Sequence, residues 1–204
     1  MIWTIVWFVV AAALVVIDQI TKNLAVKYLV DAPVTVIPHV LDFAYCENKG
    51  MAFGLLSAEN ERWIFMTLST VAIVGLMVYM IGWRPKSQYV CASLSLIIGG
   101  GIGNMIDRFS FKGILPETLN KNVVRDFIDV NLFGELWPWV FNVADACVCV
   151  GGAMLFLWCV VSIIKEAKEE KLAKAAKAAG AEEISESSEI ENAESSENGE
   201  TPNE

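Results

Sequence analysis

The amino-acid sequence predicts an all-α integral membrane protein with four transmembrane helices, a small extramembrane β element and a disordered acidic C-terminal tail. Three observations predict it. Of 204 residues, 55% are hydrophobic and only 19% charged, against about a quarter charged in a soluble domain. Four apolar runs each reach the ~20 residues that a helix needs to cross a bilayer. The acidic surplus sits at one end, because residues 181–204 hold nine Glu and no Lys or Arg, leaving residues 1–180 balanced at 15 against 15.

These numbers exclude several classes of function. With no basic stripe to neutralise phosphates, nucleic-acid binding is not expected. Cys91, Cys147, Cys149 and Cys159 sit in apolar runs, where free cysteine behaves as a small hydrophobe, and Cys46 stands alone, so no disulfide framework is expected. A single histidine, His39, makes a histidine-based metal site improbable.

The first apolar run, Ile2 to about Leu29, is uncharged through Ile17 and is then interrupted by Asp18 and Lys22. No Lys or Arg precedes it, so it reads as a retained span rather than a cleaved leader. Residues 30–62 follow, with the β-prone runs 34–38 and 41–45 punctuated by Pro33, Pro38 and Gly50, and they predict a small sheet on the membrane surface. The second span is Trp63 to Trp83. Arg84-Pro85-Lys86-Ser87 then makes a tight hairpin into the third, Tyr89 to Ile106, which ends at Asp107-Arg108. Residues 109–135 form a second loop on the same side as the first. The fourth span runs from roughly Leu136 to Ile164 with Asp145 as its only charge. Ala, Glu and Lys over 165–180 extend it as a solvated helix, and from Ala181 the Ser/Glu/Asn-rich tail has too little apolar surface to fold.

An alternating path places Asp18/Lys22, residues 48–54, Asp107/Arg108 and Asn142/Asp145 at one membrane face. Polar groups in hydrocarbon are expensive, so their convergence is the main functional signal. Charge alone does not orient that face: eight Lys and Arg lie on the crowded side and seven on the other. Setting aside Lys22 and Arg108 as partners of Asp18 and Asp107 tips the hairpin and tail towards the cytoplasm.

Each element also has a plainer reading. Asp18 and Lys22, four apart, can be a self-neutralising pair. The glycines of 99–103, Gly100 among them, can simply admit a neighbouring helix. Asp126, in the extended run 123–129, can be a solvated loop carboxylate. Two carboxylates meeting at the interface nevertheless allow aspartic-protease chemistry, in which the pair shares a proton, one member activates water and the other protonates the carbonyl oxygen. A proton-coupled carrier could use the same groups, although carriers favour more spans and midplane sites. A scaffold glued by polar residues is the third possibility.

Five blocks carry a resemblance: Asp18-Gln19-Ile20-Thr21-Lys22; Asn48-Lys49-Gly50-Met51-Ala52-Phe53-Gly54; residues 99–108, Gly99 to Arg108; Val124-Arg125-Asp126-Phe127; and Phe141-Asn142-Val143-Ala144-Asp145. In this order they resemble lipoprotein signal peptidase, signal peptidase II, over about residues 2–164. The resemblance implies a bacterial inner-membrane aspartic endopeptidase with four transmembrane helices and a periplasmic β-cradle. Such an enzyme cuts diacylglyceryl-modified prolipoproteins just before the lipidated cysteine, as a monomer, with membrane lipid around it and no cofactor. It puts Asp126 and Asp145 in the catalytic roles. It gives Asp18, Lys22, Asn48, Gly50, Ala52, Asn104, Arg108, Asn142 and Ala144 roles in holding substrate and shaping the site. Asp107 is expected to orient Arg108 or the adjacent loop, and is the rival to Asp126 because its spacing from Asn104 mirrors that of Asn142 and Asp145. The sequence departs from the family pattern at Met51, in the long stretch 110–122, which makes Asp129 a fallback for Asp126, and in the acidic tail.

Overall fold

The computed structural model describes residues 2–48, 59–109, 123–131 and 139–197. Among these residues, four helices and four strands follow in the order α1 (Ile2–Leu29), β1 (Val34–Ile37), β2 (Leu41–Asn48), α2 (Glu59–Gly82), α3 (Gln88–Phe109), β3 (Val124–Val130), β4 (Val140–Phe141) and α4 (Val143–Glu197). Among the described residues, three helical stretches are long and apolar enough to cross a bilayer: Ile2–Leu29, Gln88–Phe109 and Val143–Lys174. In α2 the corresponding apolar stretch is the shorter Met66–Gly82.

The first compact unit covers Met1–Phe156. Its apolar core joins Ala11 of α1, Met80 of α2 and Val90, Cys91, Leu94 and Ile98 of α3. The outer faces expose Ile2, Ile5, Val9, Leu68, Val71 and Val78, as spans bathed in lipid do. Glycines let the helices close in. A Cβ at Gly99 would meet the Ala11 carbonyl oxygen at 2.9 Å, and one at Gly151 would meet that of Ser93 at 2.7 Å. The packing reading of the glycine run is therefore correct, Gly100 included: its Cβ position is occupied by the Ala144 carbonyl oxygen.

The strands form one antiparallel sheet in the order β1-β2-β3-β4. The sheet is thus built from both loops, not from residues 30–62 alone. Its first hairpin turns at His39, whose φ of 63° lies in the left-handed region, while the Val40 amide donates to Ile37 O at 3.0 Å. β2 and β3 pair Asn48 with Val124, Glu47 with Arg125 and Cys46 with Asp126. Because side chains alternate across a strand, Asn48, Cys46 and Asp126 share one face of the sheet.

Two expectations about the fourth span change. It begins at Val143 rather than about Leu136, because Val140 and Phe141 pair with Asp129 and Ile128 as β4. Helix also continues to Glu197, past Ala181, where an unfolded tail was expected. The Ala, Glu and Lys that open this stretch are strong helix formers, and extending an existing helix avoids a new nucleation cost. The second compact unit, Leu157–Glu204, consists of this distal helix in its described part. Its exposed Glu170 and Lys174 pair at 2.6 Å.

Candidate active site

The polar residues that interrupt the apolar sequence do converge. Asp18 and Lys22 come from α1, Asn104 and Asp107 from the end of α3, Asp126 from β3, and Asn142, Ala144 and Asp145 from the start of α4. Gly50, Met51, Ala52 and the stretch 110–122 lie outside the described residues.

Asn142 and Asp145 are placed by helix-end chemistry. The Asn142 side-chain oxygen accepts the Asp145 amide at 2.9 Å, and Asp145 Oδ2 accepts the Asn142 amide at 3.1 Å. This is a capping box, with Asn142 at the N-cap and Asp145 three residues on. Their three-residue spacing therefore marks a helix start, not a stripe along the helix. Ala146 N donates to Asn142 O at 3.2 Å and closes the first turn. The next free amide, that of Ala144, donates to Asp18 Oδ1 at 2.9 Å. Asp18 is thus a second cap for α4, supplied by α1. It also pairs with Lys22 at 2.9 Å, the two side chains being 1% and 0% exposed. The self-neutralising pair exists, but inside the protein and against a partner helix.

Three amides hold the two expected catalytic carboxylates. Asn142 Nδ2 donates to Asp126 Oδ1 at 2.6 Å and to Asn104 Oδ1 at 3.1 Å. Asn104 Nδ2 donates to Asp145 Oδ1 at 2.8 Å, and Asn48 Nδ2 donates to Asp126 Oδ2 at 3.0 Å. The amide orientations follow from their partners. Lys22 Nζ has only protons to offer and donates to Asn104 at 2.9 Å, so Asn104 must turn its oxygen to Lys22 and its NH2 to Asp145. Asn142 must likewise face the Asp145 backbone with its oxygen, which leaves its NH2 for Asp126.

The two carboxylates sit in different surroundings. Asp126 is 1% exposed. Burial, and then the nearby Asp145 charge, push its carboxyl up to about 7, against the pull of the Asn48 and Asn142 donors. Asp145 is only half-buried and lies in the first turn of α4, where the helix dipole favours negative charge. The Arg108 charge acts on both, and on Asp107.

Asp107 is held in a separate set of contacts. Its Oδ1 and Oδ2 accept Arg125 Nη2 at 2.6 Å and Nε at 3.2 Å, and Oδ2 also takes the Arg125 amide at 3.1 Å. Lys22 approaches at 3.4 Å. Arg125 and Lys22 thus both form ion pairs with Asp107, which clamps β3 to the end of α3, while the Arg108 charge also acts on it. The fallback Asp129 lies an odd number of residues from Asp126, so it faces the other side of the sheet, and it pairs across strands with Asp42 and Val140.

The sequence reading missed three residues of this assembly. Arg125 is buried; its Nη1 reaches Asn23 at 2.7 Å and its Nη2 reaches Gln19 at 2.8 Å. The available signal for Arg125 was a cation inside an apolar strand next to a candidate carboxylate. Gln19 falls inside the block 18–22 but was given no role there, and Asn23 lies one residue beyond Lys22 with nothing in the sequence to mark it.

The family model described as Signal peptidase (SPase) II matches residues 10–161. A lipoprotein signal peptidase from Syntrophotalea carbinolica is 38% identical over 150 residues, covering 72% of this chain and 86% of that protein. One from Chlorobium luteolum is 37% identical over 156 residues, covering 74% and 86%. A solved bacterial membrane enzyme, determined by the in meso method at 2.3 Å resolution, superposes with a TM-score of 0.64 at 28% identity and covers 78% of this chain and 89% of its own. Matched along most of its length by the family model and by these relatives, the chain belongs to the signal peptidase II family.

Proposed function

We propose that this protein is an intramembrane aspartic endopeptidase. It removes signal peptides from diacylglyceryl-modified prolipoproteins by cutting just before the lipidated cysteine, with Asp126 and Asp145 as the catalytic pair. The observation that carries this reading is the amide bridge: two carboxylates from different elements, one buried and one half-buried, are joined through Asn142 and Asn104.

The chemistry follows from the unequal surroundings. Asp126, pushed up to about 7, is assigned the proton, and Asp145, at the helix start where the dipole favours negative charge, is assigned the base. Asp145 takes a proton from a water, which attacks the scissile carbonyl, and Asp126 donates its proton to the carbonyl oxygen as that oxygen gains charge. Collapse of the tetrahedral intermediate re-forms the carbonyl, returns one hydroxyl proton to Asp126 and expels the amine, which takes the proton gained by Asp145. The fixed Asn donors need no reorganisation as charge moves between the two carboxylates.

In this reading α2 is the second of four spans, Met1 to about Ile164 is the peptidase domain, and the enzyme is a monomer in the bacterial inner membrane. The site lies near the periplasmic face, with the hairpin at 84–87 and the C-terminal segment in the cytoplasm. Charge supports this orientation. Lys22 and Arg125 are consumed in buried pairs, so eight basic residues on the crowded side fall to six against seven. The segments 165–180 and 181–204 serve no step of catalysis.

The test is the size shift of a diacylglyceryl-modified prolipoprotein with purified enzyme. Cleavage by wild type that is lost in Asp126→Asn and in Asp145→Asn, with Asp107→Asn assayed beside them, supports the pair. Full activity in either dyad variant refutes it.

A further inference from the structure

Asp126 is carried by a four-stranded sheet whose first edge strand, β1, is exposed along its whole length. Something must hold β3 steady enough to aim a catalytic side chain. The amide bonds to Asp126 come from Asn48 and Asn142 on its own face of the sheet. On the opposite face, Arg125 makes five bonds: Nε, Nη2 and the backbone amide to Asp107, Nη1 to Asn23 and Nη2 to Gln19. Asp107 belongs to α3, and Asn23 and Gln19 belong to α1. The strand residue immediately before Asp126 is thereby tied to two helices. Gln19 completes the lattice by donating to Asp18 Oδ2 at 3.2 Å, Asp107 Oδ1 at 3.2 Å and Gly103 O at 3.0 Å.

We infer that Arg125 is a positioning residue, which sets the reach of Asp126 towards Asp145 by clamping β3 to α3 and α1 through Asp107, Asn23 and Gln19. A strand pinned at one residue has little freedom to rotate the next, since neighbouring side chains share a rigid peptide plane and point to opposite faces. The clamp is a geometric device as well as a charge balance. Lys22 and Arg125 face Asp18 and Asp107, two charges of each sign, and only a planar guanidinium can grip both Asp107 oxygens while donating to two further acceptors.

The inference rests on the reading of Asp126 as catalytic, and its test separates the two. Wild type, Arg125→Lys, Arg125→Met and Asp126→Asn are purified in detergent, checked for folding by thermal unfolding, and assayed for kcat and KM on a diacylglyceryl-modified prolipopeptide. Arg125→Lys keeps the charge and loses the fork. It is expected to fold, to hold KM within about twofold and to lose on the order of 10- to 100-fold in kcat, the cost of misplacing a reacting group by about 1 Å. Arg125→Met, where it folds, should lose more. Wild-type kcat in Arg125→Lys overturns the inference alone, as does a loss explained wholly by a smaller folded fraction. A raised KM at unchanged kcat overturns it too. Cleavage by Asp126→Asn overturns the catalytic pair, and the clamp's purpose with it.

Discussion

Asp126→Asn should do two things that are rarely found together: it should abolish cleavage and stabilise the protein at alkaline pH. A carboxyl raised from 3.8 to about 7 by burial and by Asp145 binds its proton more tightly folded than unfolded. Between those two values the native state holds more protons than the unfolded state, so stability falls as pH rises. The penalty is absent below pH ~4, grows through the window and is complete above pH ~7. At 1.36 kcal/mol per unit, a rise of about three units amounts to roughly 4 kcal/mol. Asparagine carries no charge and avoids that penalty. It also has a single oxygen where Asp126 presents one to Asn142 and one to Asn48. One of those amides must then face an NH2 group, at a cost of about 1 kcal/mol. The expected balance is a variant about 3 kcal/mol more stable than wild type at pH 8 and equal to it near pH 4.5. Thermal unfolding of both proteins in the same detergent at the two pH values measures the difference directly. A stability difference of the same size at both pH values would refute the argument, since a contact independent of protonation cannot produce the dependence.

The remaining predictions use other atoms of the same assembly. Asn48→Ala removes a donor that favours the ionised form of Asp126. If protonated Asp126 is the acid, activity declines as pH passes about 7, and this alkaline limb should move up by about half to one unit in the variant; the pH profile of kcat/KM measures it. Asp18→Ala uncaps the Ala144 amide and leaves buried Lys22 without one of its two carboxylates. A loss of about 3–5 kcal/mol is expected for a broken buried pair, read as a fall in thermal midpoint, with kcat lowered in whatever remains folded. Gly100→Ala places a Cβ against the Ala144 backbone carbonyl, whereas Gly152→Ala meets nothing within 4 Å. The first should cost about 1–3 kcal/mol or more and the second should be neutral or mildly stabilising, which expression level and thermal unfolding would separate.

Much of this protein is legible in its sequence because hydrocarbon tolerates so few alternatives. Long uncharged runs must be helices when no water can satisfy the backbone. That is why the bounds of α1 and α3 fall within a residue or a few of those read from the apolar pattern, and why polar residues inside the runs point to a site. The same constraint makes Asp18, Lys22, Asn104, Asn142 and Asp145 conspicuous one by one. The pairing among them is another matter. Asn104 and Asp107 have the spacing of Asn142 and Asp145, yet the first pair divides between Asp145 and Arg125 while the second folds back on itself as a capping box. Only the approach of β3 to α3 decides this, and it brings together residues 107 and 125, which lie 18 apart in the chain. The start of α4 was likewise decided by tertiary pairing, because Val140 and Phe141 are apolar enough for a span but find strand partners in Ile128 and Asp129. Composition and spacing thus determined which residues are too costly to place in a membrane without a partner. Packing alone decided which partner each one has, because that depends on the relative placement of four separate chain segments rather than on any local pattern.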